Sequence, residues 1–478
     1  MIHGIAIALY LLALVAVGAW KARRVRTQAD FAVAGRRLSP WILVGTMLAT
    51  WIGTGSILGN AGKTYETGAA AFILPLGGVL GIVLLTRVAA RVRAVESLTV
   101  PELIGVRFGD GPRLLSVIAL VVAYLVIVSY QYNAGGAVLE TILVDAAGRP
   151  LLSATEATLV AGVFIVTYTM LAGLLSVAYT DVANGIIMTL GLVLTLPVLL
   201  ARVGGLDGLE VAFAATGRAE HMRMWGVYSP LDIVNFCLPS FLLVLGDANM
   251  YQRFAAGRDA PSARRATATL VVCVLAIESL IIACAWVGSG LIADAADGRQ
   301  VLIHVAAHHL PVWLGAIMLT TIVGIIISTA DSYLLVPATT LIRDVYTARI
   351  DPAASERRIV LLSRLLVLLL GVVAYLVSRG FARSTGFFER ALYAYTIYGA
   401  AITPSLLAAL FWRRATPRGA VASITGGLVT TLVWEELPGR TAWVPGAGSI
   451  DAVVPAILVS VVCLVVGSLL DPRRPAAR

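Results

Sequence analysis

A succession of long apolar segments, about thirteen of them, limits the folds open to this 478-residue chain. Each is near the length of about 20 residues that an α-helix needs to cross a bilayer. Lipid offers no hydrogen bonds to the backbone, so such segments must be helical, or broken only where protein or water covers the break. Hydrophobic residues make up 59% of the sequence and charged residues only 13%. The chain is therefore predicted to be an all-α integral membrane protein with about 13 transmembrane helices. The predicted spans have these approximate limits: 3–20, 41–62, 69–89, 114–143, 154–174, 179–202, 231–249, 266–294, 312–342, 358–378, 387–412, 419–435 and 452–470.

The basic residues predict how these spans are oriented. Most of the 36 Lys and Arg residues fall on one set of alternate connections, beginning with the segment 21–40 and including Arg253 after the seventh predicted span. By the positive-inside rule, that set is cytoplasmic, the N-terminus is outside and the C-terminus is in the cytoplasm. The first span is followed, not preceded, by basic residues, so we expect it to be retained rather than cleaved as a signal peptide. The net charge of +9 then reports a multi-pass protein of the inner or plasma membrane, in contact with lipid and not with nucleic acid.

Several function classes have no support in the sequence. It contains no phosphate-binding glycine loop, no Walker motif and no HExxH motif. The four cysteines lie in apolar runs without the spacing of metal ligands, and are interpreted as small core residues. We expect a single transmembrane domain over 1–478, no enzyme activity and no cofactor apart from a coupling ion.

The second span is unusually rich in small residues. It reads WILVGTMLATWIGTGSILGNAG over 41–62 and contains five glycines beside Thr and Ser residues. Glycine allows a helix to unwind, and an unwound stretch frees carbonyl groups that can bind a cation. A helix of small residues that packs closely against a neighbour is the alternative, and the segment alone does not decide between the two.

The ninth span places oxygen-bearing side chains on one face. Ser328, Thr329 and Ser332 follow helical spacing from Ile325. Hydroxyl and carbonyl oxygens are the ligands that a small, hard cation prefers, although hydroxyls can also bond back to the preceding turn. Asp331 lies in the same turn, and a carboxylate at this depth normally faces a cavity or a partner. Asp181, in the sixth span, is either an ordinary helix-start acid or a second carboxylate of a cation site.

At this point an ordered set of segments resembles a known family. The chain is similar to the solute:sodium symporters, the group that contains the proline, pantothenate, sugar, sialic-acid and choline symporters. The resemblance covers most of the chain. It is carried by these segments: AGRRL (34–38), LATWIGTGS (48–56), SLTVPELIGVRFG (97–109), AGLLSVAYTDV (172–182), GDANMYQR (246–253) and STADS (328–332).

The resemblance implies a LeuT-type fold of two inverted five-helix repeats, here about 41–202 and 231–412, with the second and seventh spans broken near mid-membrane. Pro239 is the expected breaker of the seventh span. The family's main sodium site, carried across, uses carbonyl and hydroxyl oxygens of Ala49, Ile52, Ile325, Ser328 and Thr329. A second cation site would involve Asp181, Asp331 and Ser332, where Asp331 departs from the serine of other members.

The resemblance also implies a solute site between the second, fourth, seventh and eleventh spans. An aromatic cage would suit a quaternary ammonium, whereas packing or interfacial aromatics are the alternative. The expected lining residues are Trp51, Tyr130, Asn133, Phe236 and Tyr395, with Tyr132, Tyr393 and Tyr398 as further candidates. Glu278 and Arg364 lie within spans and are either functional or paired, with each other or with another helix.

The predicted function is sodium-coupled import of a small organic solute by alternating access, with Na+ as the coupling ion and the solute and Na+ as partners. Two alternatives are proton-coupled symport through Asp331, Asp181 or Glu278, and a solute sensor that retains a transporter fold. A membrane-embedded enzyme would need a reactive dyad or a metal cluster within the bundle, which the sequence does not suggest.

Overall fold

The computed structural model describes residues 2–22, 27–95, 97–145, 148–293, 298, 300–380, 386–434 and 449–471. Over these ranges the chain is almost entirely helical, and β-pairing is confined to two isolated bridges. Its helices, in chain order, are α1 (Ile2–Ala22), α2 (Gln28–Val33), α3 (Pro40–Trp51), α4 (Ala61–Thr67), α5 (Leu76–Val95), α6 (Val100–Phe108), α7 (Asp110–Ile142), α8 (Ala154–Val203), α9 (Gly205–Ala215), α10 (Pro230–Gly246), α11 (Ala248–Ala256), α12 (Ala260–Ser289), α13 (Val301–His308), α14 (Val312–Thr340), α15 (Glu356–Gly380), α16 (Phe387–Phe411), α17 (Pro417–Trp434) and α18 (Val453–Leu469).

A helix lies at each of the thirteen predicted positions, so the all-helical prediction is confirmed. Within the described residues, eight helices are long and apolar enough to cross a membrane on their own, or nine if a bent pair counts as one span. The others are shorter or carry more charge at their ends. The number of spans therefore stays a prediction, whereas the helical, multi-span character of the chain is confirmed.

The bundle has a buried centre and an apolar periphery. In α14, every residue from Gly324 to Thr340 is buried, because other helices surround it. In α15, by contrast, Leu361, Leu369 and Leu376 are each more than half exposed. Apolar side chains on the outside and polar ones inside are the arrangement expected of a protein solvated by lipid.

Three interruptions shape this centre. The second span bends by 51° between α3 and a π-helical turn that starts at Gly55. The chain turns inside α8 at Gly173, whose φ of 61° favours glycine. The seventh span is interrupted at Asp247, where ψ is 111°.

The expectation that Pro239 breaks the seventh span is wrong. Pro239 lies inside α10, which continues helically to Gly246. Neighbouring helices can accommodate a proline within a membrane helix, so the lost hydrogen bond need not end it. The break occurs instead where Tyr398 of α16 replaces helical bonds. Its hydroxyl donates to the Gly246 carbonyl at 2.8 Å and accepts from the Ala248 N–H at 3.1 Å.

Candidate functional site

The break in the second span lies directly against α14. Helix α3 ends at Trp51, and Ile52 takes a non-helical ψ of 92°. Gly53 follows, and a Cβ added to it would lie 3.0 Å from the Thr329 hydroxyl oxygen. Only glycine permits this approach without displacing α14, so the small-residue run serves both unwinding and close packing.

The polar face of α14 meets this break. The Ser328 hydroxyl lies 3.5 Å from the Ala49 carbonyl oxygen, at the edge of hydrogen-bonding distance. The Thr329 hydroxyl is buried and has no hydrogen-bond partner among the described residues. Ile52 and Ile325, whose carbonyls complete the predicted set, are both buried in the same core. Ala49 thus lies directly beside Ser328, and Gly53, which follows Ile52 in the chain, lies against Thr329.

Asp181 joins the same cluster from α8. It is fully buried, accepts a 2.5 Å hydrogen bond from the Thr46 hydroxyl and accepts another from Ser328. Asp331 is buried as well, but its carboxylate accepts from Thr169 instead. The two carboxylates therefore use different donors, and Ser328 links Asp181 to the predicted sodium site.

Arg253 lies inside the protein, not in a connection as its charge predicted. The charge pattern assigned it to a cytoplasmic connection, yet its side chain in α11 is completely buried. Its Nη2 atom lies 3.7 Å from the Asp181 carboxylate and donates to the Ser332 hydroxyl at 2.7 Å. Its Nε atom donates to Thr46 at 3.1 Å. A charge buried this deeply is stable only with a partner, and that partner was not visible in the sequence.

A small enclosed cavity lies on the other side of the second-span break. Its volume is about 30 Å³, roughly the room that one water molecule occupies. Trp51, Phe236 and Tyr395, three of the predicted solute residues, line it together with Phe388 and Glu278. This volume is too small for an organic solute.

Glu278 is held in this cavity by three neutral donors. Its side chain is 2% exposed and accepts from the Ser56 hydroxyl at 2.5 Å and from the Asn60 amide at 3.1 Å. Trp51 provides a third hydrogen bond. Its pairing with Arg364, one of the two alternatives above, is not present in the structure.

A larger cleft of about 560 Å³ lies beyond the cavity. Phe388 lines both spaces, and its backbone packs against Gly59 of the second span. Lys63 and Asn133 line the cleft but not the small cavity, so Asn133 lies outside the cavity. Phe388 had no signal in the sequence that set it apart from other apolar residues.

The other aromatic candidates lie behind the cavity wall. Tyr130 is buried and hydrogen-bonds to Tyr395, which lines the cavity. Tyr132 packs near Gly162 and Gly371, away from the cavity. Tyr398 holds the break at Asp247, as described above. Of these candidates, Tyr395 lines the cavity and Tyr130 positions Tyr395 through a hydrogen bond.

Two broken helices that cross a many-helix bundle, with buried oxygens and a small cavity beside the first break, are typical of a secondary transporter. The sodium:solute symporter family model matches residues 31–427. The chain therefore belongs to the sodium:solute symporter family, and it is a multi-pass membrane protein that transports a small solute coupled to Na+.

Individual relatives support the same assignment. The chain is 25% identical to the osmoregulated proline transporter OpuE of Bacillus subtilis (strain 168), over 99% of this chain and 95% of that protein. It is 25% identical to the sodium/proline symporter of Escherichia coli (strain K12), over 98% of this chain and 93% of the relative.

Solved structures show the fold. A substrate-bound, outward-open Na+-coupled sialic acid symporter superposes with a TM-score of 0.82 at 16% identity, covering 100% of this chain and 99% of that one. The inward-facing structure of Mhp1 gives a TM-score of 0.57 at 13% identity, covering 94% of each chain. The inverted-repeat fold implied by the resemblance is confirmed by this likeness.

Proposed function

We propose that this protein carries a small organic solute into the cell together with Na+ by alternating access. The N-terminus is outside and the C-terminus is in the cytoplasm of the inner or plasma membrane. Entry of Na+ down its gradient supplies the energy, and the membrane potential adds about 2.3 kcal/mol per charge per 100 mV. Transport by a protein of this family does not call for enzyme chemistry.

The coupling site consists of Ala49, Ile52, Ile325, Ser328 and Thr329. The observation that carries this proposal is the contact between two helices far apart in sequence, with Ser328 Oγ 3.5 Å from the Ala49 carbonyl. The Thr329 hydroxyl beside it is buried without a partner. A buried hydroxyl that lacks a hydrogen bond is costly, and a bound cation would satisfy its oxygen.

A second cation site involving Asp181, Asp331 and Ser332 remains part of the proposal. Asp181 and Ser332 contact the guanidinium of Arg253, which already supplies one positive charge there. Any second cation would therefore share these two ligands with Arg253, and would bind more weakly than one at the main site.

The solute binds where the small cavity now lies, and the larger cleft is its entrance. Trp51, Phe236 and Tyr395 line that cavity, Tyr130 supports Tyr395, and Asn133 faces the entrance. Phe388, between the two spaces, would have to move to admit the solute. Proline is the first solute to test, because several relatives are named as proline transporters.

The test of sodium coupling is the double substitution S328A/T329A. Loss of both hydroxyls removes two ligands, so we expect stabilisation of the purified protein by Na+ to disappear. Thermal unfolding in Na+ against K+ measures this without any knowledge of the solute, since a ligand raises the unfolding temperature of the state it binds. Sodium-driven proline uptake into proteoliposomes is the second readout.

S423A/S460A is the matched control. These two hydroxyls are also buried and hydrogen-bond to each other at 2.8 Å, but they join α17 to α18 away from the site. The control should retain its response to Na+. An unchanged response to Na+ in S328A/T329A would remove the proposed site.

Proton coupling is the second candidate, because Asp331 is a buried carboxylate with no ion pair among the described residues. Uptake from sodium-free buffer, driven by a pH gradient alone, would favour it. Uptake that requires Na+ at every pH would favour the first proposal.

A further inference from the structure

The central cavity contains a carboxyl group that has no charged partner among the described residues. Glu278 is 2% exposed and lies within the membrane-spanning helix α12. Within the described part of the chain it forms no ion pair, and its donors are the uncharged side chains of Ser56, Asn60 and Trp51. An ionised carboxylate held away from water is costly unless a cation pairs with it.

Two other acids near this region, unlike Glu278, have a cationic partner. Asp181 is paired with Arg253 at 3.7 Å. Glu66, at the mouth of the cleft, is paired with Lys63 at 2.8 Å. Glu278 alone among these three lines the closed cavity, and a solute could supply the missing positive charge.

The cavity wall suits a cation for an independent reason. Trp51, Phe236, Phe388 and Tyr395 bring four aromatic side chains to this small space. The Phe236 and Phe388 rings lie 5.4 Å apart with an interplanar angle of 73°. Aromatic faces attract ammonium groups within about 6 Å, most strongly where water is excluded.

The same two rings already accept an ammonium group from the cleft side. The Lys63 Nζ atom lies 5.6 Å from the centre of the Phe236 ring and 6.0 Å from that of Phe388. Glu66 neutralises Lys63, so this ammonium does not balance Glu278. Its position shows that the rings present suitable faces to such a group.

We infer that the transported solute carries a positively charged ammonium group, and that Glu278 pairs with that group when the solute is bound. This inference rests on the proposed function, because it assigns a substrate class to the proposed solute site. Glu278 is thus a specificity-determining residue rather than a structural acid, and solutes without a positive charge are poor ligands.

Pairs of compounds that differ only in the charged nitrogen test this. L-Proline is compared with cyclopentanecarboxylate, and choline with its uncharged carbon analogue dimethylbutanol. Thermal unfolding of the full chain is measured at saturating Na+. We expect stabilisation by at least one ammonium compound and none by either analogue.

E278Q keeps the size of the side chain and removes its charge. We expect it to weaken binding of the ammonium compound by more than about tenfold, as for other buried charge pairs. E210Q removes an exposed carboxylate of α9 that lines neither the cavity nor the cleft, and it should bind as the unmodified protein does. Stabilisation by either analogue that lacks the ammonium group, binding by E278Q within twofold of the unmodified protein, or no response to either ammonium compound would each overturn the inference.

Stabilisation by Na+ alone separates this inference from the proposed function. E278Q should retain it, because Glu278 does not contact the proposed sodium ligands Ser328 and Thr329. If the sodium response persists while the ammonium result fails, the substrate class is wrong and the coupling proposal stands. If the sodium response of the unmodified protein is absent, the coupling proposal fails.

Discussion

At the scale of single residues, Arg253 and Asp181 determine the electrostatics beside the proposed sodium site. Both side chains are completely buried, and the guanidinium also donates to Thr46 and Ser332. Because no water reaches the pair, removal of either partner leaves the other charge uncompensated. An exposed ion pair such as Arg258 with Asp259 has no such cost, since solvent replaces the lost partner.

R253M is therefore expected to destabilise the protein by about 3–5 kcal/mol, the usual cost of breaking a buried ion pair from one side. Adding D181N to R253M should recover part of this loss, because it removes the stranded charge. Thermal unfolding of the solubilised protein is the measurement. R258M is the control and should unfold near the unmodified temperature; equal unfolding of R253M and R258M would contradict the prediction.

At the scale of elements, the breaks in the second and seventh spans have different causes. The second span breaks where Gly53 lets α14 approach and Gly55 lets α16 approach. The seventh span breaks at Asp247, and the replacement hydrogen bonds come from Tyr398 on another helix. Backbone groups at membrane depth need such partners, because neither lipid nor water is available.

Y398F removes the hydroxyl that satisfies both sides of the break. We expect a loss of about 1–3 kcal/mol in the free energy of unfolding, the cost of leaving buried polar groups unpaired. Y132F is a close control, since the Tyr132 hydroxyl is buried without a hydrogen-bond partner in the described structure. Thermal unfolding should show Y398F well below Y132F, and a reversed order would mean that the break is held by other contacts.

At the scale of the whole molecule, the orientation in the membrane decides whether the cleft is an entrance or an exit for the solute. From the positive-inside pattern we expect the cleft, at the far end of the second span, to lie on the outer side. The closed cavity with an open cleft beyond it then corresponds to a solute path from outside that Phe388 interrupts. The opposite orientation would make the same cleft an exit.

Single cysteines in a variant without the four native ones can test this orientation. Gly226 lies between α9 and α10, and Ser355 lies between α14 and α15, on opposite sides according to the charge pattern. We expect G226C to react with a membrane-impermeant maleimide in intact cells, and S355C to react only after permeabilisation. The reverse pattern would invert the proposed direction of access.

Much of the architecture followed from the sequence, because a bilayer leaves a chain few choices. Length and apolarity alone predicted helices at the thirteen positions, since a backbone in lipid must satisfy its own hydrogen bonds. The small residues of 41–62 indicated either a break or close packing, and the hydroxyl spacing in the ninth span predicted one polar face. These are local properties, so the sequence by itself determined them.

Only the tertiary structure decided which polar groups meet. The sequence predicts Arg253 in a loop, but in the structure α11 directs it towards Asp181. The sequence makes Arg364 a candidate partner of Glu278, but α12 places Glu278 beside Ser56. Pro239 was expected to break the seventh span. The hydrogen bonds at the actual break come from Tyr398, which is 152 positions from Gly246 in the chain. Such partners come from distant helices, and local spacing carries no information about how helices pack against one another.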